Sequence, residues 1–380
     1  MAGKVDPWRV RIALVTQREL TGGTGQFPAY GVWTEAEDIL IDCVDADLVH
    51  LTTPIENPGV RFRRQAGRMV RRLARTDTPL PGSPNGRLAT RSLHGRYDAA
   101  IFVAHSIWDL QLLEGLGRLR NWADTVAVWF LETWPSSYQD GLVALEPFHA
   151  VDHIFVGMEA AVEPLSAALG RHVTYLPMAS DTLRFSPDRP DNDRPIDLIG
   201  IGRRRPEQHE QMLRWAGDTG RLYLYDTTNV GRPPDLRSHR DTIGDWYRNS
   251  KLATCNYAKS DQPNVVGTSR VMPGRLWEGL AAGSSLVGLA PSESCQQELF
   301  GRTVVTPIPS HPSDLPAFLE DEIGRHGPTE IGDQVHLALS GHDWAHRWVA
   351  MLDAIGLTPS PGLDHRISEL AQRAEKFASL

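Results

Sequence analysis

Short runs of Val, Ile and Leu alternate with longer amphipathic segments along the whole chain. This alternation is typical of strand–helix–strand units, because parallel strands need a long crossover between them. In the first half the runs predict strands at Val10–Thr16, Asp47–Leu51, Asp98–Ala104, Thr125–Leu131, Asp152–Val156 and Val173–Leu176. In the second half they predict strands at Ile196–Ile201, Arg221–Tyr225, Leu252–Tyr257, Ser285–Leu289 and Thr303–Thr306. The sequence therefore predicts an α/β protein with doubly wound, mostly parallel sheets.

The length of 380 residues favours two domains. Between the two sets of strands lies Ser186–Pro195, which is rich in Pro and Asp and holds no large apolar side chain. We interpret it as an interdomain linker. The predicted organisation is an N-terminal domain over 1–185, the linker over 186–195, a C-terminal domain over 196–340, and helices over 341–380 that pack back towards the N-terminal domain. Two such domains leave a cleft between the carboxyl ends of their sheets, where ligands bind.

The cysteines and the termini bear on the cellular compartment. Cys43, Cys255 and Cys295 are far apart and have no CxxC spacing, so neither a disulfide framework nor a cysteine zinc site is encoded. The first residues lack the apolar stretch of a signal peptide, and no apolar run approaches the roughly 20 residues that span a bilayer. We therefore expect a cytoplasmic protein.

One segment differs in charge from the rest of the chain. Between Arg61 and Arg96 there are ten Arg and one acid, Asp77, so the segment carries +9 and leaves −17 for the rest of a chain whose net charge is −8. It is either a solvated helix followed by a loop, or a surface for an anionic partner. The overall acidity argues against broad nucleic-acid binding and favours an anionic small molecule over DNA or a membrane lipid.

Two loops after predicted strands have the residues of an anion site. The first strand runs into a loop with Gly22, Gly23 and Gly25, ahead of a segment that can be helical, and glycines with a helix start can hold an anion. The glycine spacing is not GxGxxG, so an ordinary tight turn is the alternative. The strand that begins at Ile196 is followed by Arg203 and Arg204, which suit phosphate binding unless they are solvated surface residues.

The segment from Val266 to Leu289 is the most informative. A small-residue loop, Gly267-Thr268-Ser269-Arg270, precedes a short predicted helix, Arg275–Ala282, which Gly283 ends. Within it, Arg275-Leu276-Trp277-Glu278-Gly279-Leu280-Ala281-Ala282-Gly283 resembles a run in GT-B glycosyltransferases of the retaining family-4-like and spore-coat-type (CgeB-like) branches. The helix before the third strand of the second domain, with Tyr247, also resembles the tyrosine-bearing helix of that family.

The resemblance implies a GT-B architecture, in which two Rossmann-like doubly wound domains face each other across a cleft. It implies transfer of a sugar from a nucleotide-diphosphate sugar to a hydroxyl-type acceptor, with retention, without a metal, and with no cofactor besides the donor substrate. Glu278 would bind the nucleoside ribose. The diphosphate would be held by positive charge and backbone N–H groups, which the resemblance and the loop patterns assign to Arg203, Arg204, Gly267, Thr268, Ser269, Arg270 and Arg275.

The resemblance extends more loosely to the first domain. His105 and Glu132 stand at the ends of two successive predicted strands, where the family places residues that face the sugar or the acceptor. We therefore expect His105, Glu132 and Arg270 to be catalytic, and the loop of Gly22, Gly23 and Gly25 to lie against the donor. A structural role for the histidine is the alternative.

Two departures from the family pattern leave the chemistry open. Arg270 stands where the family has the first Glu of its E-x7-E motif, and Gln208 stands where it has a Lys. Arg270 can replace a missing positive charge but not a carboxylate, so retention and inversion both stay open. A GT-B nucleotide-sugar epimerase and a non-catalytic binding or activating subunit are the alternative functions.

Two metal-like patterns are interpreted as structural. Asp45-Ala46-Asp47 has the spacing of a DxD metal site but precedes a strand, so we expect a turn. His342 and His346 have the spacing of zinc ligands on a helix, but the adjacent Trp residues favour a packed helix. No metal site is predicted.

Overall fold

The computed structural model describes residues 10–18, 30–52, 87–88, 95–109, 120–134, 146–191, 193–226 and 235–378. Contacts within the chain divide it into two compact units. The first comprises Met1–Pro177 and Ala350–Gly362, and the second comprises Met178–Val349 and Leu363–Leu380. Each unit is built around one sheet.

The described strands of the first unit form a sheet in the order β3-β2-β1-β4-β5-β6-β7. They are β1 Ile12–Thr16, β2 Asp47–Thr52, β3 Arg87–Leu88, β4 Tyr97–Ser106, β5 Ala123–Glu132, β6 His153–Val156 and β7 Thr174–Tyr175. All neighbours are parallel except β2 and β3, which are antiparallel. The strand order reverses direction between β1 and β4, so the crevice at their carboxyl ends is the topological switch point of this sheet.

The helices of the first unit flank this sheet. The described α-helices are α1 Gly31–Val44 and α2 Val162–Leu169, and 3-10 turns lie at Ile107–Asp109, Glu146–Ala150 and Glu159–Ala161. Helix α1 ends at Asp45, which adopts the left-handed conformation with φ 56°. Asp47 then begins β2 and accepts a hydrogen bond from Tyr97 Oη at 2.8 Å. The Asp45-Ala46-Asp47 sequence is therefore a helix–strand turn, as the sequence predicts.

The second sheet is parallel throughout, in the order β12-β11-β10-β8-β9. Its strands are β8 Ile196–Gly200, β9 Tyr223–Tyr225, β10 Ser250–Thr254, β11 Ser285–Gly288 and β12 Val305–Pro307. The chain order reverses between β8 and β10, where Leu198 pairs with Leu252. The carboxyl ends of these two strands therefore form the switch point of the second unit.

The remaining described helices follow Met178. In chain order they are α3 Thr182–Phe185, α4 Pro206–Thr219, α5 Leu236–Arg248, α6 Pro263–Val266, α7 Gly274–Ala282, α8 Glu293–Phe300, α9 Leu315–Arg325, α10 Pro328–Gly341, α11 Trp344–Ala354 and α12 Pro361–Ala378. The segment Ala350–Gly362, which joins α11 to α12, belongs to the first unit, and the other helices belong to the second. One core cluster shows how they are held. Trp215 of α4 and Leu319 of α9 pack with Leu198 and Leu252 of the sheet, and all four are nearly inaccessible to solvent. Removal of this apolar surface from water stabilises the layered arrangement.

Helix α7 has an unusual C-terminal cap. Gly283 follows it with φ 68°, the left-handed conformation that glycine adopts without strain. The buried guanidinium of Arg194 donates to Ser250 O at 2.8 Å, to Ala282 O at 2.9 Å and to Gly283 O at 3.3 Å. Burial lowers the pKa of Arg194 to about 10, so the group stays charged and meets the negative end of the helix dipole. Arg194 lies in the stretch interpreted as a linker, and this stretch belongs to the second unit.

The strands predicted from the apolar runs are all present, with ends shifted by up to 3 residues. The short antiparallel strand β3 is not predicted. Among the described helices, none is long and apolar enough to cross a membrane.

Candidate functional site

In the second unit, two of the predicted donor-binding residues, Arg204 and Arg275, contact the end of β8 and the residue after it. Ile201 and Gly202 directly follow this strand, and Arg275 lies in the first turn of α7. Arg275 Nε donates to Ile201 O at 2.6 Å. Gly202 has φ +83°, and a Cβ atom built on it would overlap the Arg275 guanidinium. The backbone conformation at 202 therefore favours glycine, and a side chain here would displace the Arg275 guanidinium from its present position.

Glu278 lies one turn further along α7 and is enclosed by arginines. Its side chain is 1% exposed, and its Oε1 accepts a hydrogen bond from Arg240 Nη1 at 2.6 Å. Arg275 Nη1 lies 3.8 Å from the other carboxylate oxygen, Oε2. Within the part of the chain that the structure describes, Oε2 accepts no hydrogen bond. The carboxylate thus has one oxygen fixed by a buried cation and one that is not hydrogen-bonded.

A second carboxylate draws Arg204 to the same edge of the sheet. Asp226 follows β9, and its Oδ1 accepts hydrogen bonds from Gly202 N at 2.8 Å and from Arg204 Nη1 at 3.1 Å. The Arg204 guanidinium also lies over the Tyr225 ring, 5.3 Å from its centroid. The Gly202 loop is therefore held between Asp226 and Arg275, with Arg204 beside it.

A small pocket opens next to this loop. Its walls are Arg204, Arg205, Gln208, His209, Met212, Tyr223, Thr254 and Asn256. Gln208 Oε1 accepts a hydrogen bond from Asn256 Nδ2 at 3.0 Å, while the buried Gln208 Nε2 has no hydrogen-bond acceptor among the described residues. Gln208 therefore offers a neutral N–H donor to this pocket.

Burial shifts the titration of the groups around Glu278. Burial raises the pKa of the Tyr247 phenol and of the Cys255 thiol above their ordinary values, so both are neutral near pH 7. Burial, followed by the charge of Arg240, lowers the pKa of His239. The site's fixed charges near pH 7 therefore come from carboxylates and guanidinium groups.

The remaining predicted donor residues have other contacts. Arg203 is exposed and pairs with Asp261 at 3.2 Å. The Arg270 guanidinium lies 6.0 Å from the centre of the Tyr257 ring, and Arg270 O accepts a hydrogen bond from Ser292 N. Gly267 has φ +56° after the short helix α6, and Thr268 next to it is exposed, whereas Ser269 is half-buried and its N–H donates to Val266 O.

In the first unit, His105 and Glu132 lie near the carboxyl ends of adjacent strands, β4 and β5. The His105 ring packs edge-on against Tyr30 and Trp33, at 5.0 and 4.7 Å between ring centres. Glu132 accepts a hydrogen bond from Trp134 Nε1 at 3.2 Å. Burial raises the pKa of Tyr30, and the charges of Asp109 and Glu132 raise it further. These residues form a polar and aromatic cluster at the carboxyl edge of the first sheet.

The start of the predicted glycine loop is anchored by an ion-pair cluster. Arg18, which follows β1, pairs with Glu37 at 2.5 Å and with Asp38 at 2.6 Å, and it donates to Thr34 O at 2.7 Å. Burial raises the pKa of Glu37, and the charge and the hydrogen bond of Arg18 act in the opposite direction. Gly22, Gly23 and Gly25 themselves lie outside the described residues, as does most of the Arg61–Arg96 segment.

Metal ligands are not grouped in the described part of the chain. There, no set of three or more His, Cys, Asp or Glu side chains could hold a metal ion. Arg347 Nη2 donates to His342 Nδ1 at 3.1 Å, and His346 Nε2 donates to Leu339 O at 3.3 Å. Both histidines therefore make structural contacts.

Sequence reasoning missed Arg240 and Asp226. Arg240 lies 38 residues from Glu278, and a helical arginine ordinarily indicates a solvated face. The sequence of α5 does indicate that Arg240 is buried, because it shares one face of the helix with Ile243, Gly244 and Tyr247. A charged residue on such a stripe needs a buried partner, which is Glu278.

Neither protein-family models nor curated protein sequences match this chain. The structure is similar to an alpha-glucosyltransferase in complex with UDP and a 13-mer DNA containing an HMU base, with a TM-score of 0.52, 11% identity, and 91% of this chain and 99% of that chain covered. The same values relate it to an alpha-glucosyltransferase in complex with UDP-glucose and DNA containing an abasic site. At this identity the likeness concerns the fold, and it confirms the expected GT-B class of two Rossmann-like, parallel-sheet domains.

Proposed function

We propose that this protein is a glycosyltransferase that moves a sugar from a nucleotide-diphosphate donor to a hydroxyl-type acceptor. The observation that carries the proposal is the Glu278 carboxylate, buried beside Arg275 at the carboxyl edge of the second sheet. A carboxylate accepts hydrogen bonds from ribose hydroxyls, and a guanidinium holds phosphate oxygens. The two groups are one helical turn apart, which suits a nucleoside diphosphate.

In this proposal, catalysis comes mainly from stabilising the leaving diphosphate. Negative charge develops on its oxygen as the bond to the sugar breaks, and fixed positive charge lowers the energy of that state. We assign this role to Arg275, Arg203 and Arg204, with Arg270 and the loop of Gly267, Thr268 and Ser269. We further propose that the transfer needs no metal ion and that it retains the anomeric configuration, both by analogy with the family that the sequence resembles.

The first unit is proposed to position the sugar and the acceptor. The polar and aromatic cluster of His105 and Glu132 supports this assignment, because it lies at the carboxyl edge of a doubly wound sheet, where such folds bind ligands. The loop of Gly22, Gly23 and Gly25 is assigned to the same ligands. The +9 charge of Arg61–Arg96 leads us to propose an anionic small molecule as the acceptor.

UDP-glucose is the first donor to test, because similar alpha-glucosyltransferases are in complex with UDP or UDP-glucose. The purified protein is incubated with UDP-, GDP-, TDP- and ADP-sugars, and release of the nucleoside diphosphate is followed with a sugar phosphate, anionic vesicles or HMU-containing DNA as acceptor. Release that depends on an acceptor is the expected result. Isomerisation of the donor without release would identify an epimerase, and binding with neither reaction would identify a non-catalytic subunit.

The ribose assignment has its own test. Glu278→Ala is expected to weaken binding of the nucleoside diphosphate in calorimetry, and unchanged affinity would contradict the assignment.

A further inference from the structure

Arg240 and Glu278 form an ion pair that is almost completely removed from solvent. Their side chains are 6% and 1% exposed, and Arg240 Nη1 donates to Glu278 Oε1 at 2.6 Å. The Arg240 guanidinium is also stacked over the Phe185 ring, 4.8 Å from its centroid. A pair in such surroundings has little freedom to rearrange, so Arg240 fixes the orientation of the carboxylate.

The two oxygens of this carboxylate differ in their contacts. Oε1 is hydrogen-bonded, whereas the buried Oε2 accepts no hydrogen bond among the described residues, and Arg275 Nη1 is 3.8 Å away. A buried acceptor without a hydrogen bond is energetically unfavourable, because it has lost its contact with water. Such an atom beside a candidate phosphate-binding arginine indicates a missing donor, and the hydroxyl of a ligand can supply it.

Two cations lie against the Glu278 carboxylate, Arg240 at 2.6 Å and Arg275 at 3.8 Å. The other titratable groups beside it are His239 and Tyr247 from α5 and Cys255 after β10. Burial raises the pKa of the tyrosine and of the cysteine, so both are neutral near pH 7, and burial disfavours a charge on His239. Arg240, which makes the hydrogen bond, is therefore the group that orients the carboxylate.

We propose that Arg240 is a positioning residue for nucleotide binding: it holds Glu278 Oε1, so that Oε2 faces a ribose hydroxyl of the donor. This inference rests on the proposed function. It assigns Arg240 to recognition of the nucleoside and not to the phosphates, because its hydrogen bond is made to the carboxylate that would meet the ribose.

The test is calorimetric titration of the full chain with UDP and with inorganic pyrophosphate, which has no ribose, at neutral pH. The variants are Arg240→Met, Arg240→Lys, Glu278→Gln and the double variant Arg240→Met/Glu278→Gln. Arg214→Met is the matched control, since Arg214 is an exposed arginine of α4 paired only with Glu210 among the described residues. Circular dichroism and thermal unfolding establish that each variant is folded.

Affinities are expressed relative to the wild-type protein. Arg240→Met is expected to weaken UDP binding about tenfold or more, because the buried carboxylate loses the donor that fixes its orientation. Arg240→Lys, which keeps a charged donor, should recover part of this affinity. The double variant should bind UDP no more weakly than Glu278→Gln alone, because Arg240 acts through Glu278, and pyrophosphate affinity should be unchanged in all variants.

Three results would overturn the inference: an unchanged affinity of Arg240→Met for UDP, an equal loss for pyrophosphate, or a further loss when Arg240→Met is added to Glu278→Gln. The last two would indicate a general structural role or a direct contact of Arg240 with the nucleotide. If the wild-type protein binds none of UDP, GDP, TDP and ADP, the proposed function fails and the inference fails with it. Wild-type binding of UDP together with one of the three results refutes the inference alone.

Discussion

Arg366 and Asp343 form a two-point ion pair inside the second unit. Arg366 Nε donates to Asp343 Oδ1 at 2.9 Å, and Nη2 donates to Oδ2 at 2.8 Å. Thr182 donates to the same Oδ2 through its N–H and its hydroxyl, both at 2.9 Å. Arg366 also reaches Asp181 at 2.6 Å. The start of α12 is thereby tied to α3 and to the residue before α11.

Replacing Arg366 by Met is expected to lower the free energy of unfolding by about 3–5 kcal/mol, because it leaves a buried carboxylate without its cation. Urea unfolding at pH 7 measures this loss. Arg373→Met on the same helix is the control. Its carboxylate partner, Asp188, is 99% exposed, so the expected loss is about 1 kcal/mol or less.

The loss should depend on pH in a defined direction. Burial acts to raise the pKa of Asp343, but the charge and hydrogen bonds of Arg366 hold it below the ordinary value of 3.8. The pair therefore stabilises the protein above pH 3.8, and this contribution disappears as the pH falls through the lowered pKa. The difference between the wild-type protein and Arg366→Met should shrink in acid. If the free energies of unfolding of the wild-type protein and Arg366→Met differ by the same amount at about pH 3 and pH 7, the loss arises from packing and not from the ion pair.

Buried histidines predict a second acid sensitivity. Burial, together with nearby cations, lowers the pKa values of His326 and His342 to about 3. Because the folded-state pKa lies below the unfolded value of 6.5, stability is complete above pH 6.5 and falls as the pH drops towards 3. Each histidine is expected to contribute about 1.4 kcal/mol per pH unit in this range. Unfolding curves from pH 7 to pH 4 measure the slope.

The variant His326→Asn tests this assignment, because the amide can take over the contact of the imidazole Nδ1 with Ser285 Oγ at 3.0 Å. The variant should show a smaller slope than the wild-type protein. His311→Asn is the control, since His311 is exposed, and it should keep the wild-type slope. The same slope for both variants would exclude His326 as the source.

Much of the fold follows from the sequence because buried parallel strands have an unambiguous pattern. Runs such as Ile12–Thr16 are apolar on both faces, and their burial is complete. Strand β3 has no such signal, because Arg87–Leu88 is only 2 residues long and pairs through its backbone. Arg194 was not expected in a core, because a cap formed by residues far apart in the chain leaves no periodic pattern.

In the candidate site, too, some contacts follow from the sequence and others do not. Arg275 and Glu278 are on one helix, so their spacing alone predicts that they are neighbours. Asp226 and Arg240 reach the site from separate segments, and their contacts depend on the sheet order and not on local spacing. Arg203 and Arg204 are adjacent in the chain, yet they pair with Asp261 and Asp226, which no local rule distinguishes.

The Arg61–Arg96 segment gives a prediction about the acceptor. Replacing Arg64, Arg68, Arg71 and Arg72 by Gln removes four of its ten arginines. If the segment binds an anionic acceptor, the acceptor KM should rise and the donor Kd should stay constant. The wild-type acceptor KM should also rise with salt, because exposed charges are screened beyond about 8 Å at physiological ionic strength. A constant acceptor KM at low and high salt would leave the segment without this role.

Gly202 links backbone conformation to the proposed donor site. In Gly202→Ala, the new Cβ would overlap the Arg275 guanidinium, which must move away from Ile201 O and Glu278. UDP affinity is expected to fall about tenfold, equivalent to about 1.4 kcal/mol.

Gly220→Ala is the matched control. Gly220 has φ +71°, close to the +83° of Gly202, but a Cβ at Gly220 meets no atom within 4 Å. Both variants should lose about 1 kcal/mol of stability through the strained backbone, while only Gly202→Ala weakens UDP binding. Equal UDP affinities in the two variants would show that the position of Arg275 does not determine donor binding.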